Sequence, residues 1–244
     1  MGFTDLLLGA TIAMFATALG ALGVIFFRKA GCKFYPYILS ACAGVMIYTS
    51  AEMANGSHAL SGDLIAGFGL VCGLFAFFVI ERILPHIHSM IRKKEIEKTR
   101  KKAVLLAGTI TLHNIPEGFA IASAFAGSTP LGWLVTAAIA IQDIPEGFVI
   151  SGPLACFGIN TKKSVLWGVF SGFVEFMAAI FGYMFLSLAT TTTPFALAFS
   201  AGAMTYVAFI ELLKDAYQEK GLKIVMPAVL GAVCAMGLGI VLAL

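Results

Sequence analysis

The chain has 244 residues, of which 59% are hydrophobic and only 12% are charged, with a formal net charge of +3. A soluble domain typically has about a quarter of its residues charged, so this composition excludes a water-soluble globular protein. The small positive charge requires no nucleic-acid partner, and the excess of apolar residues predicts that the chain is embedded in a lipid bilayer.

In chain order, apolar stretches of about 20 residues, the length that crosses the hydrocarbon core, occur eight times. They cover residues 4–27, 35–55, 62–83, 103–125, 130–153, 164–188, 195–213 and 224–243. The first stretch has no positive residue before it, so we interpret it as a retained span rather than a signal peptide. The pattern predicts an all-α, polytopic protein in which residues 1–244 form a single transmembrane domain.

The basic residues test this arrangement. All 16 lysines and arginines lie in the connections that follow the odd-numbered spans or at the adjoining span ends. The positive-inside rule therefore predicts that these connections are cytoplasmic and that both termini are outside. The longest connection, residues 84–102, is the predicted cytoplasmic loop, with a short helix around 92–98. His86 and His88 at its start are spaced to bind a metal, but two ligands alone do not define a site.

The five cysteines (Cys32, Cys42, Cys72, Cys156 and Cys234) form no CxxC pair. We interpret them as small packing residues, with neither a disulfide framework nor a thiolate zinc site.

One internal repeat stands out. Span four contains HNIPEGF at His113–Phe119, and span five contains QDIPEGF at Gln142–Phe148, aligned without a gap. Because short connections make consecutive spans antiparallel, the two copies form an inverted pair. Transporters commonly place the substrate site at such an interface between repeats, so the pattern predicts an inverted-repeat core.

Four ionisable residues of this repeat lie within the predicted spans: His113, Glu117, Asp143 and Glu146. Such groups cost roughly 2.5–3.5 kcal/mol each inside a bilayer and usually mark a site. Neither span holds a lysine or arginine to neutralise the carboxylates, which leaves protons or a bound cation. The alternative is a pair of helices whose polar side chains only hydrogen-bond to each other.

The spacing defines two ligand sets, because residues three or four apart share a helix face. The first set is His113, Glu117, Gln142 and Glu146, and the second is Asn114, Glu117, Asp143 and Glu146. Both sets use the two glutamates, so a binuclear centre is expected. Pro116 and Pro145 each remove a backbone donor and are expected to kink their helices. Gly118 and Gly147 are expected to let a partner helix approach closely.

Mixed imidazole, carboxylate and amide ligands suit Zn²⁺ and also Fe²⁺, Mn²⁺, Co²⁺ or Cd²⁺. Calcium and magnesium ions prefer oxygen ligands alone, and His113 argues against them.

With its paired HN-x-PEG and QD-x-PEG spans, its span count and its charged third connection, the chain resembles the prokaryotic branch of the ZIP (Zrt/Irt-like) family of divalent metal transporters. The resemblance implies that the six polar motif residues are metal ligands and that Glu175 in span six completes the second site. It also implies that Met46 lies near the first site, although a methionine in a span often serves only in packing. Many eukaryotic members have histidine where this chain has Gln142, which implies weaker selectivity for zinc here.

Further acidic residues are candidates for the ends of the pathway. Glu52 and Asp63 would form an outer entrance or only cap helices. Glu211 and Asp215 would line the exit or pair with lysines such as Lys214.

The resulting hypothesis is import of Zn²⁺ or a similar ion into the cytoplasm by alternating access, as cargo and with no prosthetic group. The resemblance implies a homodimer, and we expect it in the plasma membrane. A cation channel and an exporter remain alternatives. A metal-dependent intramembrane enzyme is a further alternative, but the chain has no HExxH or GxSxG motif.

Overall fold

The computed structural model describes residues 3–91, 98–156, 158–188 and 190–243. Side chains within these ranges are described except at 28–33, 84–91, 98–106, 109–110, 188, 190 and 242–243. Every element in this part of the chain is a helix, so the predicted all-α class is confirmed. His86, His88 and the predicted short helix at 92–98 fall largely outside what is described.

The helices follow each other with very short connections. They are α1 (Phe3–Leu22), α2 (Val24–Ser61), α3 (Asp63–Ile91), α4 (Lys98–Gly127), α5 (Thr129–Cys156), α6 (Thr161–Leu188), α7 (Thr193–Tyr206), α8 (Lys214–Lys220) and α9 (Val225–Ala243). A π-helical segment, Val207–Leu213, joins α7 to α8, and a 3₁₀ turn, Gly221–Ile224, joins α8 to α9. The α2 helix is bent at Phe27, where φ is −118° and ψ is 28°.

The predicted count of eight spans is not reproduced. Among the described residues, six segments are long and apolar enough to cross a membrane. They are Phe3–Phe27, Phe34–Ser61, Asp63–Ile83, Thr129–Cys156, Thr161–Ser187 and Thr193–Val241. The last segment runs through both the seventh and the eighth predicted spans. They lie in the separate helices α7 and α9, on either side of α8 and the turn at Gly221, where φ is 57°. The fourth predicted span lies in α4, which is not among the six, since its first half is only partly described and its second half carries the polar motif.

Helix packing divides the chain into two groups. In the first helix group, α1, α4, α5 and α6 pack on one another, and in the second helix group α2 packs on α3, α7 and α9 while α3 packs on α7. The main contacts between the groups are those of α2 with α5 and of α4 with α7. The helices that carry the repeated motif therefore belong to one group and face the other.

Two motif glycines bring helices into backbone contact, as expected. A Cβ built on Gly118 would collide with the backbone carbonyl of Glu175 on α6, and one built on Gly147 would collide with the carbonyl of Thr17 on α1. Small residues permit such close approach between membrane helices. Each motif helix is thus fixed against another member of its own group.

The cysteines differ from expectation at one position. Cys42, Cys72 and Cys234 are free thiols, whereas Cys156 at the end of α5 forms a disulfide. The prediction that all five serve only in packing was therefore wrong for Cys156. Sequence spacing does not reveal a bridge between residues that only the fold brings within reach.

Candidate metal centre

The two copies of the motif meet in the interior, where α4 contacts α5. The side-chain amide of Gln142 donates a hydrogen bond from Nε2 to Oε1 of Glu117. The backbone carbonyl of Gln142 accepts a hydrogen bond from the thiol of Cys42 on α2, with a sulfur–oxygen distance of 3.8 Å. The motif is therefore in contact with both helix groups.

Three carboxylates converge at this point. One oxygen from each of Glu117, Asp143 and Glu146 lies within 4.8 Å of the others, and all three residues are buried. Their relative exposures are 0%, 0% and 4%. Such an arrangement of hard oxygen ligands could hold a divalent cation.

Several carboxylate oxygens at this centre lack a hydrogen-bond donor among the described residues. Among the described residues, no hydrogen-bond donor reaches Oε2 of Glu117, either carboxylate oxygen of Asp143, or either one of Glu175. Buried polar atoms are normally satisfied, and each exception requires an explanation. A bound cation would satisfy several of these oxygens at once.

The electrostatics point the same way. The negative charges of Glu146 and Glu175 act on Glu117. Asp143 is affected by the charges of all three glutamates. Like charges this close in a medium of low dielectric constant strongly disfavour one another's ionised form. Positive charge in their midst would relieve that repulsion.

His113 and Asn114 each contact a side chain from another helix. Nε2 of His113 contacts Oε2 of Glu211, which projects from the π-helical segment. Oδ1 of Asn114 accepts a hydrogen bond from the hydroxyl of Ser171 on α6 at 3.2 Å. Both motif residues are almost fully buried, so these partners define how their side chains point.

Glu175 and Met46 come from helices outside the repeat. Glu175 is fully buried on α6, and its carboxylate is close enough to Asp143 to interact with it. Met46 is 1% exposed and lies one turn beyond Cys42 on α2. Residues four apart share a helix face, so Met46 lies on the side of α2 that faces Gln142.

The two predicted entrance residues each contact a residue close by in the sequence. Glu52 is hydrogen-bonded to Tyr48 one turn earlier. Asp63 is largely exposed and pairs with Nδ1 of His58 at 3.0 Å across the turn between α2 and α3. Both residues therefore have local partners near the end of α2.

Three contacts of the centre were not anticipated from the sequence: those made by Glu211, Ser171 and Cys42. Glu211, predicted to line the exit or to pair with a lysine, contacts His113, and Asp215 lies on α8, whose side chains are mostly exposed. Ser171 lies four residues before Glu175 and therefore shares its helix face, so its position near the centre could have been predicted from the sequence. The contact of Cys42 could not be predicted in this way, because a thiol in a span packs as readily as a small apolar group.

Known proteins provide an independent comparison. A sequence model described as "ZIP Zinc transporter" matches residues 90–244. Two bacterial proteins named "Zinc transporter ZupT" are each 30% identical. The protein from Enterobacter sp. (strain 638) is matched over 93% of this chain and 92% of its own length. The protein from Escherichia coli (strain IAI39) is matched over 81% of each chain.

A longer relative from Arabidopsis thaliana is 30% identical over 86% of this chain, which spans only 35% of that protein. The bacterial matches cover nearly the whole chain, and the family match includes both copies of the motif. The chain is therefore a multi-pass membrane protein that belongs to the ZIP family.

Proposed function

We propose that this protein carries Zn²⁺, and chemically similar divalent ions, across the plasma membrane into the cytoplasm. The observation that carries the proposal is the buried group of Glu117, Asp143 and Glu146, whose ligand oxygens lie within 4.8 Å of one another. Carboxylate oxygens that no donor among the described residues reaches, such as both oxygens of Asp143, are costly to bury unless a cation neutralises them. Relatives named as zinc transporters support zinc as the cargo.

The proposed centre is binuclear, with Glu117 and Glu146 bridging two ions. The first ion would be held by Met46, His113, Glu117, Gln142 and Glu146. The second ion would be held by Asn114, Glu117, Asp143, Glu146 and Glu175. The imidazole and thioether make the first site the more zinc-like of the two, whereas the second site has only amide and carboxylate ligands.

The movement that delivers the ion is proposed to be a displacement of the first helix group against the second. The motif helices α4 and α5 both belong to the first helix group. From the second group, α2 contacts the motif through Cys42, and the π-helical segment that follows α7 contacts it through Glu211. A relative shift would change these contacts while keeping the carboxylates together. We further propose that the transmembrane domain works as a homodimer with its termini outside.

Other uses of the same centre are less well supported. A metal-dependent enzyme needs an open coordination position and a general base beside it, and we propose no reaction for this chain. A channel would pass ions without saturation, and an exporter would move them in the opposite direction.

The experiment is uptake of radioactive ⁶⁵Zn²⁺ into proteoliposomes. The variants Glu117→Ala and Glu146→Ala are compared with wild type and with Glu219→Ala, which removes an exposed acid on α8. We expect saturable uptake in wild type and Glu219→Ala and loss of uptake in both motif variants. Equal uptake in all four proteins would contradict the assignment, and uptake that never saturates would favour a channel.

A further inference from the structure

The two copies of the motif share a second feature, on the side of the helix away from the ligands. In each copy the isoleucine, the proline and the final phenylalanine of I-P-E-G-F line an apolar crevice. These are Ile115, Pro116 and Phe119 in α4, and Ile144, Pro145 and Phe148 in α5. In both copies, an apolar crevice therefore lies behind the helix turn that carries the proposed ligands.

The first crevice has a volume of about 590 Å³ and separates α4 and α6 from α3 and α7. Its walls are aliphatic and aromatic, and include Phe173 and Phe181 of α6, with Phe77 and Phe199 opposite. The side chain of Ile115 is 43% exposed there. This crevice lies along the boundary between the first and second helix groups.

The second crevice has a volume of about 350 Å³ and lies between α5 and α1 on one side and α2 on the other. Leu19 and Phe148 face Phe34 and Ile38 across it. Ile144 is 43% exposed, as is its counterpart in the first copy. It too follows the boundary between the groups, and the two crevices have no helix in common.

We propose that each crevice binds one acyl chain of a bilayer phospholipid, which packs against the turn that carries Glu117 or Glu146. Every helix that lines the crevices, except α4, belongs to a segment long and apolar enough to cross a membrane. Hydrocarbon is therefore the medium that meets their openings, and almost all of their lining is apolar. A second copy of the chain is the competing occupant, and the lipid titration below distinguishes it from an acyl chain. The inference rests on geometry and stands separately from the transport proposal.

Tryptophan fluorescence with brominated lipid tests this directly. In a background of Trp133→Phe and Trp167→Phe, which removes both native tryptophans, Phe181→Trp reports on the first crevice and Leu19→Trp on the second. Met236→Trp on α9 is the control, since Met236 is also about half exposed but lines neither crevice. Delipidated protein in detergent is titrated with phosphatidylcholine that carries bromine on its acyl chains.

We expect the two crevice reporters to be quenched saturably at a low molar ratio of lipid to protein, with Met236→Trp quenched only after reconstitution into bilayers. Quenching of all three reporters over the same range of lipid would overturn the proposal, because it would show ordinary lipid contact. Reporter emission that depends on protein concentration and not on lipid would also overturn it and would indicate a second copy. Because each crevice has its own reporter, misfolding of one variant leaves the other as a test.

Discussion

The contact between Gly118 and α6 gives the most quantitative prediction. In Gly118→Ala the new Cβ would collide with the carbonyl of Glu175 and lie 2.9 Å from both the Cβ of Ala178 and the backbone nitrogen of Ala179. Because two of these three atoms belong to the backbone, α4 and α6 must move apart. Overpacking of this kind costs about 1–3 kcal/mol. At about 2–4 °C per kcal/mol for a chain of this size, the Tm should fall by about 2–12 °C.

The same displacement should affect metal binding, because it moves Glu175 on α6 away from Glu117 on α4. Loss of such support typically weakens metal affinity by about 10–100-fold. The assays are thermal unfolding and zinc titration of purified protein in detergent. The control is Gly67→Ala on α3, where the described residues leave nothing within 4 Å of an added Cβ. If Gly118→Ala matched Gly67→Ala in both Tm and zinc affinity, the close contact and its role would be refuted.

Three further substitutions probe the surroundings of the centre. Ser171→Ala removes the donor to Asn114, a hydrogen bond worth about 0.5–1.5 kcal/mol. A zinc titration should therefore show a second site weakened about 2-fold to 13-fold; unchanged affinity at both sites would exclude that role. Gln142→His replaces an amide with a stronger imidazole ligand and should tighten zinc binding at the first site; calorimetry showing weaker binding would contradict the proposed ligand. Tyr206→Phe removes the hydroxyl that donates to Glu81. It should lower the free energy of unfolding by about 1–3 kcal/mol and leave zinc affinity unchanged. A change in zinc affinity alone would place Tyr206 in the metal centre.

The core of the centre was predictable from local spacing. Residues three and four apart in HNIPEGF and QDIPEGF must share a helix face, and an inverted pair of such helices brings Glu117, Asp143 and Glu146 together. Gly118 and Gly147 likewise allow close helix contact wherever their helices pack. These inferences needed only helical geometry and the cost of burying charge.

The contacts that depend on tertiary structure were harder to predict. Glu211 reaches His113 from a π-helical segment, and a π turn changes the face on which later residues lie. The spacing of Glu211 and Asp215 in the sequence therefore gave no indication of the contact between Glu211 and His113. The disulfide of Cys156 also depends on contacts that apolar periodicity does not encode.

The central claim is that Glu117 is shared by two metal ions while Glu175 serves only one. Counting the Zn²⁺ bound per chain at saturation tests it most directly, with wild type, Glu117→Gln and Glu175→Gln purified in the same detergent. The account predicts two bound ions in wild type, one in Glu175→Gln and loss of both in Glu117→Gln. Two bound ions in Glu117→Gln would contradict it.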